Sequence, residues 1–183
     1  MSNPPSTKPA SPFAPLRRVV TGHTLSGHAT VVEDNIQAAR YFSDAATSPC
    51  YDLYYSSTTP AANDSELENA GGNSKWVDEV KEHPEIPPAA GGSNFRCWDM
   101  PPGSVTPMHR TLSLDYAVVL KGSVVLDLDN GERTVLAEGD TIVQRGTIHA
   151  WRNESDEWCR MLFVMIGAKP IEVSGNVLGE EYR

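Results

Sequence analysis

Cysteine is scarce. Three in 183 residues, Cys50, Cys97 and Cys159, form an odd set with no CxxC spacing. That argues against a disulfide framework and against a cysteine-built zinc site, and leaves three small buried hydrophobes as the expectation. No apolar run approaches the roughly 20 residues that a membrane-spanning helix needs. The N-terminal stretch MSNPPSTKPASPFAP has no apolar core of the signal-peptide kind, so a cytoplasmic protein is expected. Basic residues are outnumbered, 15 against 24 acidic for a net charge of -9, and only Arg17-Arg18 makes a tight basic pair. Without a basic stripe or a basic amphipathic helix, no nucleic-acid or membrane partner is expected. There is no internal repeat and no long helical pattern.

What the chain does have is turns and short β-type runs. Fourteen Pro and fourteen Gly punctuate it. Residues 1–15 are rich in Pro and Ser and are expected to be a disordered arm, or one that orders only on assembly. Residues 16–94 read as an N-terminal extension. It holds a hairpin from Arg18–Thr21 and Thr30–Glu33, an aromatic strand Tyr51–Ser56, and a long lid-like loop over 59–94 with a helical turn near Trp76–Glu82. His23, His28 and His83 fall at turns or an element end and read as exposed.

From Asn94 onward, seven strand-like runs alternate with Gly, Pro, Asn and Asp turns. Asn130-Gly131 is the clearest hairpin signal. This pattern implies an all-β sandwich or barrel over 95–167, followed by a polar tail at 168–183. Within it, His109 and His149 lie 40 positions apart, each in a β-type run. Residues 109, 111 and 115 share odd parity, so one continuous strand would put all three on one face, as it would His149 and Trp151. Two imidazoles and the Asp115 carboxylate would suit Zn, Fe, Mn or Ni with positions left open. Alternatively, the histidines would act by hydrogen bonding or as acid and base, and Asp115 would cap a turn or pair with Arg110 or Arg145. Arg96, Trp98, Met100, Thr111, Trp151, Phe163 and Met165 are the candidates for lining a substrate pocket.

The same residues resemble the cupin superfamily. Gly103, five residues, His109-Arg110-Thr111, three residues, Asp115, six residues and Gly122 keep the spacing of the first cupin motif. Thr111 stands where its second His is expected, and Asp115 where Glu is. Gly139, Gln144-Arg145-Gly146, His149 and Asn153 follow the second motif, with its first gap one residue short and Gln144 in place of Pro. The wording is similar to a small single-domain cupin subgroup of bacteria and fungi. The resemblance implies a double-stranded β-helix, or jelly-roll barrel, with an N-terminal strand extension and a few short helical turns. It also implies a homodimer. Its metal set would be His109, His149 and Asp115, which are also the catalytic candidates. The expected function is an enzyme of secondary metabolism acting on an oxygenated, apolar, aromatic or polyketide-like molecule. Decarboxylation, isomerisation or cyclisation would be its reaction, with no nucleotide or organic cofactor. The alternatives are a non-catalytic ligand-binding cupin and an iron-dependent dioxygenase.

Overall fold

The computed structural model describes residues 8–43, 46–63, 78–81 and 91–183. Its strands in chain order are β1 (Arg17–His23), β2 (Ala29–Ile36), β3 (Cys50–Ser56), β4 (Ser93–Met100), β5 (His109–Arg110), β6 (Ser113–Lys121) and β7 (Ser123–Leu128). They continue as β8 (Arg133–Ala137), β9 (Thr141–Arg145), β10 (His149–Arg152), β11 (Cys159–Gly167), β12 (Ile171–Val173), β13 (Asn176–Leu178) and β14 (Glu181–Tyr182). The described helical content is one short 3-10 turn, Glu79–Lys81, so among these residues no helix is long and apolar enough to cross a membrane.

Two five-stranded antiparallel sheets carry the fold, ordered β14-β5-β10-β7-β8 and β3-β4-β11-β6-β9. The fold is the expected all-β double-stranded β-helix. The two-residue period decides which side chains meet between the sheets. On β11, Met161, Phe163 and Met165 point inward, while Leu162, Val164 and Ile166 point out. On β6, Ala117 and Val119 join them, and Val124, Leu136 and Trp151 answer from the other sheet. Tyr116, of opposite parity to Asp115, is exposed.

Turn chemistry sets the corners. Gly122 joins β6 to β7 at φ 74°, and a Cβ there would lie 2.5 Å from the Trp158 carbonyl oxygen, so only glycine fits. The Asn130-Gly131 hairpin closes with Gly131 N–H donating to Leu128 O at 3.0 Å, and Asn130 Oδ1 accepting from Glu132 N–H at 3.0 Å. His23 and His28 are exposed at the β1–β2 hairpin. His83 and most of the lid-like loop lie outside the described residues.

The N-terminal arm differs from the expectation of disorder from residue 8 onward. Arg160 pairs with Asp99 through two hydrogen bonds of 2.6 and 2.7 Å, donates to Ala14 O at 3.0 Å and lies 5.0 Å from the Phe13 ring centre. A short apolar cluster beside it joins Leu16 to Tyr51, Leu53, Cys97 and Leu162. The arm is ordered because it covers apolar surface and satisfies a buried cation, neither of which its composition reveals. The hairpin extension contributes β3 to the edge of one sheet, and the tail contributes β14 to the edge of the other.

Candidate active site

His149 opens β10 and pairs directly with His109 on β5. That register sets the two ring centres 4.5 Å apart. Nδ1 of His109 lies 2.8 Å from Pro107 O, and Nδ1 of His149 lies 3.0 Å from Thr147 O. A carbonyl oxygen only accepts, so both Nδ1 atoms carry a proton, and Nε2 is the nitrogen each ring has left for another partner. Burial holds His149 neutral, with its pKa pushed down to about 4; the neighbouring His109 charge acts in the same direction, against the hydrogen bond to Thr147.

Both histidines face a cavity of about 640 Å³ that also takes in Arg96, Trp98, Thr111 and Asp115. Its wall is a run of rings in contact. Phe42 meets Trp98 at 5.3 Å, Trp98 meets Phe163 at 6.4 Å and Phe163 meets Trp151 at 5.9 Å. Trp151 then meets His149 at 5.5 Å, and His109 stacks on Tyr182 at 5.9 Å with only 9° between planes. Met165 completes the apolar lining. Such a belt favours a flat, apolar ligand.

Three expectations are corrected here. Residues 109–115 are not one strand: the run breaks at Thr111-Leu112, and β5 and β6 belong to different sheets. His109 and Asp115 therefore face the cavity from opposite walls. Second, the described residues bring together no group of three His, Cys, Asp or Glu side chains placed for one ion, so Asp115 is not gathered with His109 and His149. Asp115 is mounted on the other sheet from the two histidines. Third, Met100 does not line the cavity. It sits opposite Cys159 at the end of β4 and packs in the core.

Asp115 pairs with neither Arg110 nor Arg145. Arg110 turns to Glu181 at 3.6 Å and to Gly179 O at 3.3 Å, and Arg145 is exposed. Burial raises the Asp115 pKa to about 6, against the Ser113 hydroxyl and the Arg96 charge, which lower it. Thr111 Oγ1 is 2.8 Å from Ser113 Oγ. Arg96 is 3% exposed and its Nη2 lies 3.2 Å from Asp52, which Arg40 also grips. Asp52, Phe42 and Tyr182 were missed by sequence reasoning. Tyr182 reaches the site because β14 adds to the edge of β5, with Arg183 N–H donating to Met108 O at 2.8 Å. No local pattern in the tail signals that pairing.

Comparison with known proteins agrees with this architecture. The family model described as a cupin domain matches residues 96–165. Phomopsin biosynthesis cluster protein C' of Diaporthe leptostromiformis is 54% identical over 90 residues, 49% of this chain and 48% of that protein. Oryzines biosynthesis cluster protein J of Aspergillus oryzae is 37% identical over 124 residues, 66% of this chain and 64% of that protein. The matches thus span about half and just under two thirds of those two relatives. Cupin-domain-containing oxidoreductase srdB of Neurospora crassa is 33% identical over 178 residues, 97% of this chain and 86% of that protein. With its motifs, its two facing sheets and a full-length relative in agreement, the chain belongs to the cupin superfamily.

Proposed function

We propose that the chain is a cytoplasmic cupin enzyme of secondary metabolism that acts on an oxygenated, apolar and aromatic small molecule by decarboxylation, isomerisation or cyclisation. The observation that carries this reading is the imidazole pair, both Nδ1 atoms tied to backbone carbonyls, set in a ring-lined cavity with a buried carboxyl group on the opposite wall. The names of the phomopsin- and oryzine-cluster relatives support the metabolic setting.

Two imidazoles whose Nδ1–H groups are tied to backbone carbonyls leave Nε2 for a divalent ion such as Zn, Fe, Mn or Ni, which His109 and His149 would hold with water or substrate in its other positions. When bound, such an ion supplies Lewis acidity toward a carbonyl or enol oxygen. The protein's own groups do the rest. Trp98, Trp151 and Phe163 hold the ring system flat and exclude water. Asp115, with a pKa near neutrality, takes a proton from one substrate atom and returns it to another. Arg96, anchored by Asp52, offsets negative charge that develops on a substrate oxygen.

The donor set one short of three favours a second reading, a ligand-binding cupin without turnover. The two separate in one experiment. Wild type, His109→Ala and His149→Ala are loaded with each metal, analysed for bound ion, and incubated with a panel of hydroxylated polyketide aromatics. Metal held by wild type alone, with a compound consumed by wild type alone, supports the enzyme. Ligands recovered unchanged from all three remove it. Equal metal content in all three removes the ion from the mechanism.

Pairing of two copies, which the cupin resemblance implies, belongs to the same proposal. The outer face of β3-β4-β11-β6-β9 carries a cross-strand row in direct register: Tyr54, Phe95, Val164, Tyr116 and Val143. Four of these are exposed, from 37% to 58%, and a second copy is the occupant we assign to the row.

A further inference from the structure

Asp115 poses a problem that the fold does not solve. Its side chain is 5% exposed, and its Oδ1 is buried without a hydrogen-bond partner among the described residues. Burying an unsatisfied carboxylate oxygen is unfavourable, and native proteins keep such atoms where a ligand or water completes them. Among the described residues no cation forms an ion pair with it. Arg96 is engaged with Asp52 across the β3–β4 pair, and the Ser113 hydroxyl, although it favours the charged carboxyl, leaves Oδ1 without a partner. The position occupied by Asp115 is the one at which the first sequence motif would carry a metal ligand, yet it is not grouped with the two histidines.

The surroundings of Asp115 say what would complete it. On β11, which runs between the strands of Arg96 and Asp115, Phe163 lies opposite Arg96 and Met165 opposite Asp115. The acceptor therefore stands at the edge of an apolar platform. Trp98 and Trp151 each meet Phe163 edge-on. A ligand filling this space presents a flat apolar body to the platform and a single donor to Oδ1.

Building on the substrate-site reading above, we propose that Asp115 is a substrate-recognition residue rather than a metal ligand, and that its Oδ1 accepts the hydroxyl proton of a phenol or enol carried on an apolar ring. The substrate class is thus hydroxylated aromatics, read by that hydroxyl. Arg96 lies close enough for its charge to be felt at Asp115 and favours ligands whose oxygen carries partial negative charge.

The test is a binding titration by ligand-observed NMR with 2-naphthol, 2-methoxynaphthalene and naphthalene. The ether keeps the ring and the oxygen but has no proton to donate. In wild type, 2-naphthol is expected to bind at least about tenfold tighter than its ether, the range for a hydrogen bond to a charged group. In Asp115→Leu, which keeps the γ-branched shape at a larger size and removes the acceptor, the two should bind within about twofold of each other. A thermal melt checks that the variant folds, and the wild-type comparison stands without it. Equal binding of naphthol and ether in wild type overturns the proposal, and so does a preference that survives in Asp115→Leu. Both outcomes leave the cavity as the substrate site, because the rings still bind. Failure of all three compounds to bind overturns the cavity reading as well.

Discussion

His149 and Asp115 make opposite demands on pH, and the two can be separated. His149 ordinarily titrates near 6.5 and is pushed down to about 4 in the fold. Between those values the unfolded chain binds the proton and the folded chain does not. Its contribution is whole above about 6.5 and is lost as pH falls toward 4. Asp115 is raised from 3.8 to about 6. Here the folded state binds the proton first, so its contribution is whole below 3.8 and is lost as pH rises through 6. Both groups are buried, at 3% and 5% exposure, so solvent screens neither. Going from pH 7 to pH 5, the His149 shift alone removes about 2 kcal/mol and the Asp115 shift alone restores about 1 kcal/mol. The metal-free wild type should thus change by only about 1 kcal/mol from this pair. His149→Asn should be stabilised relative to wild type on acidification, and Asp115→Asn destabilised. The stability gap between the two variants should move by about 3 kcal/mol over those two pH units. Urea unfolding followed by tryptophan fluorescence at pH 7, 6 and 5 measures it. Carboxylates elsewhere are common to all three proteins and cancel in the differences. Parallel profiles for the three would refute the burial argument for both groups.

Two further outcomes bear on the fold and its assembly. Arg160→Met leaves Asp99, which is 0% exposed, as an unpaired buried charge and releases the arm at Ala14. Urea denaturation should show a loss of about 3–5 kcal/mol, much of it recovered in the double variant with Asp99→Leu; a single variant within about 1 kcal/mol of wild type would contradict the pairing's role. On the outer sheet face, Tyr116→Lys places a charge in the middle of the apolar row, so light scattering should find a dimer for wild type and a monomer for the variant. A monomeric wild type would remove the proposed pairing.

The sequence by itself determined the strands, their faces and the corners. Alternation along β6 and β11 is a property of neighbouring residues, and so is the turn at Gly122, to which the distant Trp158 carbonyl adds its own demand for glycine. The cupin spacing likewise named both histidines, and residue type named most of the lining, including Arg96, Trp98, Trp151, Phe163 and Met165. Only the tertiary structure decided which of these meet. His109 and His149 become neighbours through the β5–β10 register, across 40 positions of chain. Asp115 faces them from the opposite wall because the chain changes sheets after Thr111, a break that odd parity alone cannot reveal. Met100 falls into the core because it is opposite Cys159, and Phe42 and Tyr182 enter the site through packing between distant segments. Local periodicity is written in the order of residues. The closing of a cavity depends on contacts between strands far apart in the chain, and those exist only once the two sheets have packed.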